Sequence, residues 1–341
     1  MTTVIIIGAG PAGLKAACRI AEEGYHVLIL EKENSIGGKL NRWDKLFPDF
    51  ASAQDILTSL EKDIDHPLIT LKKNTEIVAL RREGEEWIVT DKENIEYQGK
   101  AILAATGYDF FDAGRKEEYG YGIYPNVITS VELEEMLAQK QIHYPTMAQN
   151  STPRIAFIQC VGSRDEKVGN LFCSRNCCIC AVKQSIEVKE ILPDADVFCF
   201  YMDLRMFGKS YEELYREAQQ RYNISFVRGR VSEVSPAIHQ QVVIKAEDTL
   251  LAKPVRGTFD LVVLMVGMEA SKGTKMLSST LQIEDTYGYI ESVNPHISDN
   301  ITAHKGFFAA GTCKKQLSIS EVLKDADSAA CVMKDYLKNY S

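Results

Sequence analysis

Residues 3–31 of the sequence read TVIIIGAGPAGLKAACRIAEEGYHVLILE, and this stretch decides the fold. The β-branched run at 3–8 predicts a strand, the spacing of apolar residues over 12–24 predicts a helix, and the apolar run at 26–31 predicts a second strand. A strand–helix–strand order of this kind is typical of α/β folds built on a parallel sheet.

Three glycines lie between the first strand and the helix, with the spacing G-x-G-x-x-G at Gly8, Gly10 and Gly13. The first permits a tight turn, the second lets the backbone approach a pyrophosphate, and the third lets helix and strand pack closely. The N-terminus of the helix favours the phosphate charge. Glu31 ends the second strand, where a carboxylate meets a ribose hydroxyl. The pattern predicts a dinucleotide site; the alternative is a glycine turn that binds nothing.

The composition narrows the functional classes. The 341 residues carry a formal net charge of −8, which argues against nucleic acid or an anionic membrane as the main partner. No apolar run approaches the ~18 residues that a spanning helix needs. No basic segment precedes the first apolar run, which therefore predicts a strand and not a signal peptide. We expect a cytoplasmic protein.

The second half of the chain repeats the strand–helix pattern without the glycine turn. The sequence predicts strands at 155–160, 197–202 and 224–227, helices at 173–191 and 211–222, and further strands at 241–247 and 259–266. The first of these strands continues as CVGSRDE, which lacks the three glycines that a nicotinamide dinucleotide needs. A second Rossmann-like domain that binds no nucleotide is therefore expected.

Nine cysteines are present, and four of them crowd into residues 173–180. In a reducing compartment such clustering points to metal or redox chemistry. Cys160, Cys173, Cys177 and Cys178 follow the spacing C-x12-C-x3-C-C, and an iron–sulfur cubane needs four thiolates around one centre. We expect Cys173 and Cys177 to share one helix face, with Cys160 at the end of a neighbouring strand. Plain buried thiols are the alternative.

Several motifs favour FAD as the dinucleotide. Gly37-Gly38, the ATG turn at residues 105–107 and the segment GFFAAG at 306–311 resemble flavin-contact motifs of the glutathione and thioredoxin reductase superfamily. Thr312 stands where that superfamily has Asp. The last helix begins near Ser318, and its positive end would stabilise negative charge on a reduced flavin.

The cysteine segment IQCVGSRDEKVGNLFCSRNCCICAVKQ, residues 158–184, strongly resembles the A-type subunit of heterodisulfide reductase. The segments VITSVELEEML (127–137), YMDLRMFGKSYEELY (201–215), DLVVLMVGM (260–268) and GFFAAGTC (306–313) resemble the same family. The resemblance implies that Cys160, Cys173, Cys177 and Cys178 ligate one [4Fe–4S] cluster. Independently of the resemblance, Arg164 and Arg175 would offset the negative charge of such a cluster; the alternative is two ordinary surface arginines. It gives Cys180 no ligand role.

The family resemblance also implies that Lys183 lies near flavin N5; the alternative is a solvated helix lysine. Together the two resemblances assign these residues to FAD: Gly8, Gly10, Pro11, Ala12, Gly13, Glu31, Lys32, Gly38, Lys39, Thr106, Gly107, Lys183, Gly311, Thr312, Ser318 and Ile319.

No C-x2-C-x2-C-x3-C run, as carried by long members of the family, occurs in the 341 residues. The chain therefore resembles the short A-type subunit of sulfur-oxidising, heterodisulfide-reductase-like complexes. This likeness implies an electron-transfer subunit of sulfur or thiol redox metabolism, with B- and C-type partner subunits and a homodimer. We expect a thioredoxin-reductase-like arrangement of two Rossmann-like domains. The FAD domain is predicted at 1–110 and 260–341, and the cluster domain is inserted at 111–259.

Two other functions stay open. A stand-alone NADPH-dependent thiol–disulfide reductase would use Cys177 and Cys180, a C-x-x-C pair at a helix start where thiolates are favoured. A scaffold flavoprotein would use FAD only to hold the fold together. The sequence further predicts that Cys331 belongs to the core of the final helix and that the acidic run at 132–135 is a solvated face.

Overall fold

The computed structural model describes residues 3–146 and 152–338. Its strands are β1 (Thr3–Ile7), β2 (His26–Leu30), β3 (Lys45–Leu46), β4 (Ala51–Ser52), β5 (Ile69–Lys72), β6 (Ile77–Glu83), β7 (Glu86–Asp91), β8 (Glu96–Gly99), β9 (Ala101–Ala104), β10 (Tyr108–Phe110), β11 (Val127–Thr129), β12 (Arg154–Val161), β13 (Asp196–Tyr201), β14 (Ser225–Arg228), β15 (Val231–Pro236), β16 (Val242–Asp248), β17 (Lys253–Phe259), β18 (Leu261–Val266), β19 (Met268–Ala270) and β20 (Phe307–Ala309).

The α-helices are α1 (Pro11–Glu22), α2 (Ala53–Asp63), α3 (Ser130–Ala138), α4 (Cys177–Ile191), α5 (Tyr211–Gln220), α6 (Lys272–Leu281) and α7 (Ile319–Leu337). Local sequence explains several of their starts. Pro11 begins α1, where its fixed φ suits a first helical turn. Thr129 with Glu132, and Ser318 with Glu321, form capping boxes that begin α3 and α7. None of the helices in the described ranges is long and apolar enough to cross a membrane.

The first compact unit comprises the described residues up to Asn41, Ala53–Asp109 and those from Glu269 onward. Its main sheet has the order β20-β9-β1-β2-β5 with every neighbouring pair parallel. The side chains of Val4, Ile5 and Ile6 are fully buried, because both faces of a parallel sheet are covered. A three-stranded antiparallel sheet of β6, β7 and β8 belongs to the same unit.

The second compact unit comprises Arg42–Ser52 and the described residues of Phe110–Met268. Its parallel sheet has the order β11-β18-β12-β13-β14. Ile155 and Phe157 face a core built with α4 and α5, while Ala156 and Ile158 face a second core built with β15, β16 and β17. The predicted α/β class with two Rossmann-like sheets is confirmed.

The unit boundaries differ in detail from the predicted ones. The predicted change at 259/260 falls instead after Met268, because β18 hydrogen-bonds β12 within the second sheet. Residues 42–52 also belong to the second unit and not to the predicted FAD domain.

Candidate cofactor sites

The glycine turn of the first unit has the backbone that its sequence predicts. Gly8 has φ +109°, and a Cβ there would lie 2.5 Å from the Ala105 carbonyl oxygen. A Cβ on Gly13 would lie 2.0 Å from the Gly8 carbonyl oxygen, so both positions require glycine. A Cβ on Gly10 would meet no protein atom within 4 Å. Among the described residues, no steric contact requires a glycine at position 10, and the open space there has room for an external group.

The start of α1 is open to an anion. Gly10 is its N-cap and supplies no side-chain hydrogen bond, and Pro11 follows at the first helical position. Ala12 is buried at the first turn. The remaining first-turn amides carry the partial positive charge of the helix N-terminus. This donor set fits a pyrophosphate.

Glu31 is buried immediately beyond β2, beside the same turn. Its carboxylate accepts hydrogen bonds from the Ala9 N–H at 2.6 Å and the Glu33 N–H at 2.9 Å. A carboxylate has about four acceptor sites, so lone pairs remain for a ribose hydroxyl. Lys32, the next residue, is half exposed and lies 3.7 Å from the Glu33 carboxylate.

Segments far apart in the sequence converge on this turn. The Gly37 N–H donates to the Ala9 carbonyl at 2.8 Å, and a Cβ on Gly38 would lie 3.3 Å from the Gly10 Cα. A Cβ on Gly311 would lie 2.8 Å from the Ala12 Cβ. The segments around residues 8–13, 37–38 and 311, which are predicted to contact the flavin, thus lie together in the first unit. Lys39 pairs there with Asp109 at 3.2 Å.

The ATG turn is braced by α6, which sequence reasoning missed. The hydroxyls of Thr106 and Thr274 lie 2.7 Å apart, and Thr274 also donates to the Gly107 carbonyl at 3.1 Å. Ser271, the N-cap of α6, donates to the Thr106 carbonyl at 2.9 Å. The N-cap pattern at residues 271–274 could have predicted a helix start, but not its position against the turn.

The Gly311–Thr312 segment has an acidic partner that the sequence did not reveal. Asp325, in the second turn of α7, accepts a hydrogen bond from the Gly311 N–H at 2.6 Å. A Cβ on Gly107 would lie 3.8 Å from the Thr312 Oγ1, which brings the ATG turn to the same place. Ser318 is the N-cap of α7 and Ile319 its first residue.

Three of the four predicted cluster cysteines meet in the second unit. Cys160 lies near the end of β12, and Cys177 and Cys178 open α4. The Cys177 thiol hydrogen-bonds to both Cys160 and Cys178, which lowers the pKa of Cys160, lowers the pKa of Cys178 to about 7, and raises the pKa of Cys177. Sulfurs that share protons in this way are suited to binding a thiophilic group.

The fourth cysteine lies outside helix α4. Cys173 precedes α4 on an irregular loop, so the expectation that it shares a helix face with Cys177 is wrong. Arg175 has φ +60°, which prevents a helix from continuing through it, and its N–H donates to the Cys173 sulfur at 3.3 Å. Across residues 3–146 and 152–338, no three His, Cys, Asp or Glu side chains form a group that could hold a metal ion.

Buried polar atoms without hydrogen-bond partners lie on the same elements as the cysteines. In the described chain, the buried side-chain atoms of this kind are Gln159 Oε1 and Nε2, Arg164 Nη1, Gln184 Oε1 and Glu187 Oε2, the last of which still faces the Lys183 ammonium. All of them belong to the β12 end, the turn after it, or α4. Buried polar groups are normally satisfied. Those of Gln159 and Arg164, next to Cys160 in the chain, fit a further polar or sulfur-containing group bound at the cysteines.

The backbone of this region is strained as well. Cys160 has φ +60° and Arg164 has φ +54°, in the region that residues other than glycine rarely adopt. Arg175 on the facing loop shares this conformation. Such outliers cluster at functional sites because the surrounding structure holds them there.

Lys183 is not the solvated lysine of the alternative interpretation. It is almost fully buried in α4, with its Nζ 2.5 Å from Glu134 Oε1 and 2.9 Å from Glu187 Oε2. Burial opposes its charge, but the two carboxylates raise the pKa of Lys183. The prediction that residues 132–135 form a solvated face is therefore wrong for Glu134.

The other cysteines differ in their surroundings. Burial raises the pKa of Cys180, and raises the pKa of Cys199 and of Cys313 to about 12. Cys331 is exposed, so the prediction that it belongs to the core of the final helix is wrong. It lies next to Ala330, which faces the core.

Comparison with known proteins gives the family context. Residues 6–54 match the family model of an NAD(P)-binding Rossmann-like domain. The second iron–sulfur A-type subunit of CoB–CoM heterodisulfide reductase from Methanopyrus kandleri is 31% identical, over 96% of this chain and 63% of that protein. The A-type subunit of the H2/formate:CoB–CoM heterodisulfide, ferredoxin reductase from Methanococcus maripaludis gives the same identity and coverage.

Among solved structures, T. acidophilum thioredoxin reductase superposes with a TM-score of 0.68 at 18% identity, and the match covers 100% of both chains. This likeness shows a shared fold. The chain spans 63% of the length of the two relatives above.

Proposed function

We propose that this chain, which is similar over 96% of its length to A-type subunits of heterodisulfide reductase and shares the fold of thioredoxin reductase, is an oxidoreductase subunit that carries electrons between FAD and a [4Fe–4S] cluster. The observation that carries the proposal is the contact of Cys160, from the end of a strand, with Cys177 and Cys178, from the start of a helix. We further propose that the chain is a short heterodisulfide-reductase-like subunit that acts in sulfur or thiol metabolism.

FAD would supply an isoalloxazine ring that exchanges electrons, and the first unit supplies its binding groups. The open first turn of α1 and the space at Gly10 would receive the pyrophosphate. The Glu31 carboxylate would accept hydrogen bonds from the ribose hydroxyls, and the Thr312 hydroxyl would offer a neutral hydrogen bond in place of a carboxylate. A neutral group holds such a contact more weakly than a charged one.

The cluster would be ligated by Cys160, Cys173, Cys177 and Cys178. The unsatisfied buried donors beside these residues support the assignment, because N–H groups commonly hydrogen-bond cluster sulfurs. Cys173, on the loop before α4, would supply the fourth thiolate. The family resemblance assigns Lys183 to the flavin N5, and its pair of carboxylates would keep the ammonium protonated.

Anaerobic purification followed by metal, sulfide and flavin analysis tests the proposal. We expect about four irons and about four acid-labile sulfides per chain, as a [4Fe–4S] cluster requires, together with one FAD. Protein that folds with flavin but without iron or sulfide under these conditions would refute the cluster.

The donor and partner assignments need a separate experiment. Because the second unit lacks a three-glycine turn after β12, we expect dithionite to reduce the protein, and NADH and NADPH to leave its flavin oxidised. Rapid bleaching by either nucleotide would instead support a nicotinamide-dependent disulfide reductase. Light scattering tests the proposed homodimer. Co-purification with B- and C-type subunits from the cytoplasmic fraction tests the proposed complex.

A further inference from the structure

We infer that Gln159 and Arg164 hydrogen-bond to sulfur atoms of the cysteine centre and set its reduction potential. The inference rests on the proposed function, because it concerns residues that act on the cluster without ligating it. Both are positioning residues. Neither belongs to the set of four cysteines that the family resemblance assigns.

Gln159 is the first of the two. Its side chain is only 7% exposed, and neither of its polar atoms has a hydrogen-bond partner. It precedes Cys160 at the carboxyl end of the central strand β12. Phe157, two residues earlier, packs with α4 residues, so strand alternation directs Gln159 toward α4 and its cysteines.

An irregularity in the pairing of β12 with β18 includes Gln159. The register between β12 and β18 shifts between Ile158 and Val161, so Gln159 and Cys160 oppose fewer residues on the neighbouring strand. Bulges redirect side chains next to active sites. The left-handed φ of Cys160 is part of the same distortion. The regular pairing of β12 with β18 is thus interrupted at the position of the Gln159 amide and the Cys160 thiol.

Arg164 is the second residue. Its Nη2 is fixed by the Asp203 carboxylate at 2.7 Å, while its Nη1 is buried and has no hydrogen-bond partner. The guanidinium interacts electrostatically with both Cys160 and Cys173. Asp203 therefore holds the arginine so that one N–H pair remains available toward the thiolates.

The chemistry of a cluster explains both groups. Thiolate ligands and bridging sulfides are hydrogen-bond acceptors that carry excess negative charge, and reduction adds more. A donated N–H and a nearby guanidinium stabilise the reduced state more than the oxidised state, which raises the reduction potential. Burial strengthens the effect, because the surrounding dielectric is low.

The test is an EPR-monitored redox titration of the full chain, purified anaerobically with its cofactors. Gln159→Leu removes the side-chain amide and Arg164→Gln removes the positive charge. Arg164→Lys keeps the positive charge but removes the planar guanidinium with its several N–H donors. We expect all three to retain iron and sulfide, with midpoint potentials more negative than wild type and the lysine variant between wild type and Arg164→Gln. Gln139→Leu and Arg221→Gln, at exposed positions, serve as matched controls with unchanged potential.

A measurement on the wild type covers the case in which a variant does not fold. Fe–S stretching frequencies in the resonance Raman spectrum should shift after exchange into D2O, because the N–H donors exchange. Unchanged potentials in iron-loaded variants, or unchanged frequencies in the wild type, would overturn the inference and leave the cluster intact. Wild-type protein without a cluster would overturn the proposed function itself.

Discussion

Lys183 Nζ lies 2.5 Å from Glu134 Oε1, and each side chain is 1% exposed. The pair joins α3 to α4, and Gln184 adds a hydrogen bond from its Nε2 to Glu134 Oε2 at 2.7 Å. Glu187 lies 2.9 Å from the same ammonium, so two buried carboxylates share one buried cation. Lys45, whose ammonium lies 3.7 Å from the Glu187 carboxylate, adds a second positive charge at the edge of this group.

Removing the Lys183 ammonium should destabilise the second unit in a pH-dependent way. In Lys183→Met, Glu134 and Glu187 lose their counter-charge, and breaking a buried pair costs about 3–5 kcal/mol. Burial already raises the pKa of Glu187 above its ordinary 4.5. A carboxyl with a raised pKa in the folded state binds protons more tightly there, so its contribution favours folding at low pH and is lost as pH rises above about 4.5.

We therefore expect the loss in Lys183→Met to be larger at pH 8 than at pH 5, measured as the free energy of unfolding in urea. Lys167→Met serves as the control, because the Lys167 side chain is 76% exposed and its ion pair with Glu118 is worth little. A loss equal at both pH values would contradict the role of the carboxylates.

Cysteine substitutions should distinguish a cluster-binding protein from a reductase that uses a dithiol. Cys177 contacts both Cys160 and Cys178, so Cys177→Ser should abolish most of the bound iron and the cluster EPR signal. Cys180 has a raised pKa through burial, which makes it a poor thiolate, and Cys180→Ser should retain both. The exposed Cys331 gives the control substitution. Equal loss of disulfide reductase activity in Cys177→Ser and Cys180→Ser, without any iron to lose, would favour the dithiol function.

The sequence predicted those features that local pattern determines. The glycine turn at Gly8–Gly13 and the apolar strands on either side depend on neighbouring residues, and their structure agrees with the pattern. Helix α4 was predicted to begin at Cys173 but begins at Cys177. The positive φ of Arg175 prevents the earlier start, and nothing in the local sequence reveals that conformation. The burial of Glu134 was also missed, since its partner Lys183 lies 49 residues away along the chain.

Asp325 should stabilise the C-terminal flavin segment through a buried charge pair. Its carboxylate accepts the Gly311 N–H at 2.6 Å and lies 2.8 Å from the Lys314 ammonium, whose side chain is 2% exposed. Asp325→Ala would leave Lys314 with Asp299 alone and should lower the free energy of unfolding by about 3 kcal/mol. Asp325→Asn keeps an acceptor for Gly311 and should cost less.

Denaturant unfolding followed by flavin fluorescence measures both effects, because release of FAD reports on the Gly311 segment. Asp327→Ala tests the same helix at a 40% exposed position, where its pair with Arg19 should contribute at most about 1 kcal/mol. An Asp325→Ala variant as stable as Asp327→Ala would show that the carboxylate does not support the segment.

Gly10 provides the sharpest test of the dinucleotide site, because a methyl group added there should affect FAD binding without affecting the folding of the apoprotein. Its φ is −76° and an added Cβ meets no protein atom within 4 Å, so the apoprotein should tolerate Gly10→Ala with a stability change within about 0.5 kcal/mol. The same methyl group would occupy the space that a pyrophosphate needs against the backbone. We expect FAD affinity to fall by about tenfold or more, which corresponds to about 1.4 kcal/mol.

Gly13→Ala is the informative comparison, because its Cβ would lie 2.0 Å from the Gly8 carbonyl oxygen. That overlap should destabilise the apoprotein itself by about 1–3 kcal/mol. Thermal unfolding of flavin-free protein and fluorescence titration with FAD, applied to both variants, separate folding from binding. If Gly10→Ala bound FAD as tightly as wild type, the open space at Gly10 would not be the pyrophosphate position, and the glycine turn would serve the fold alone.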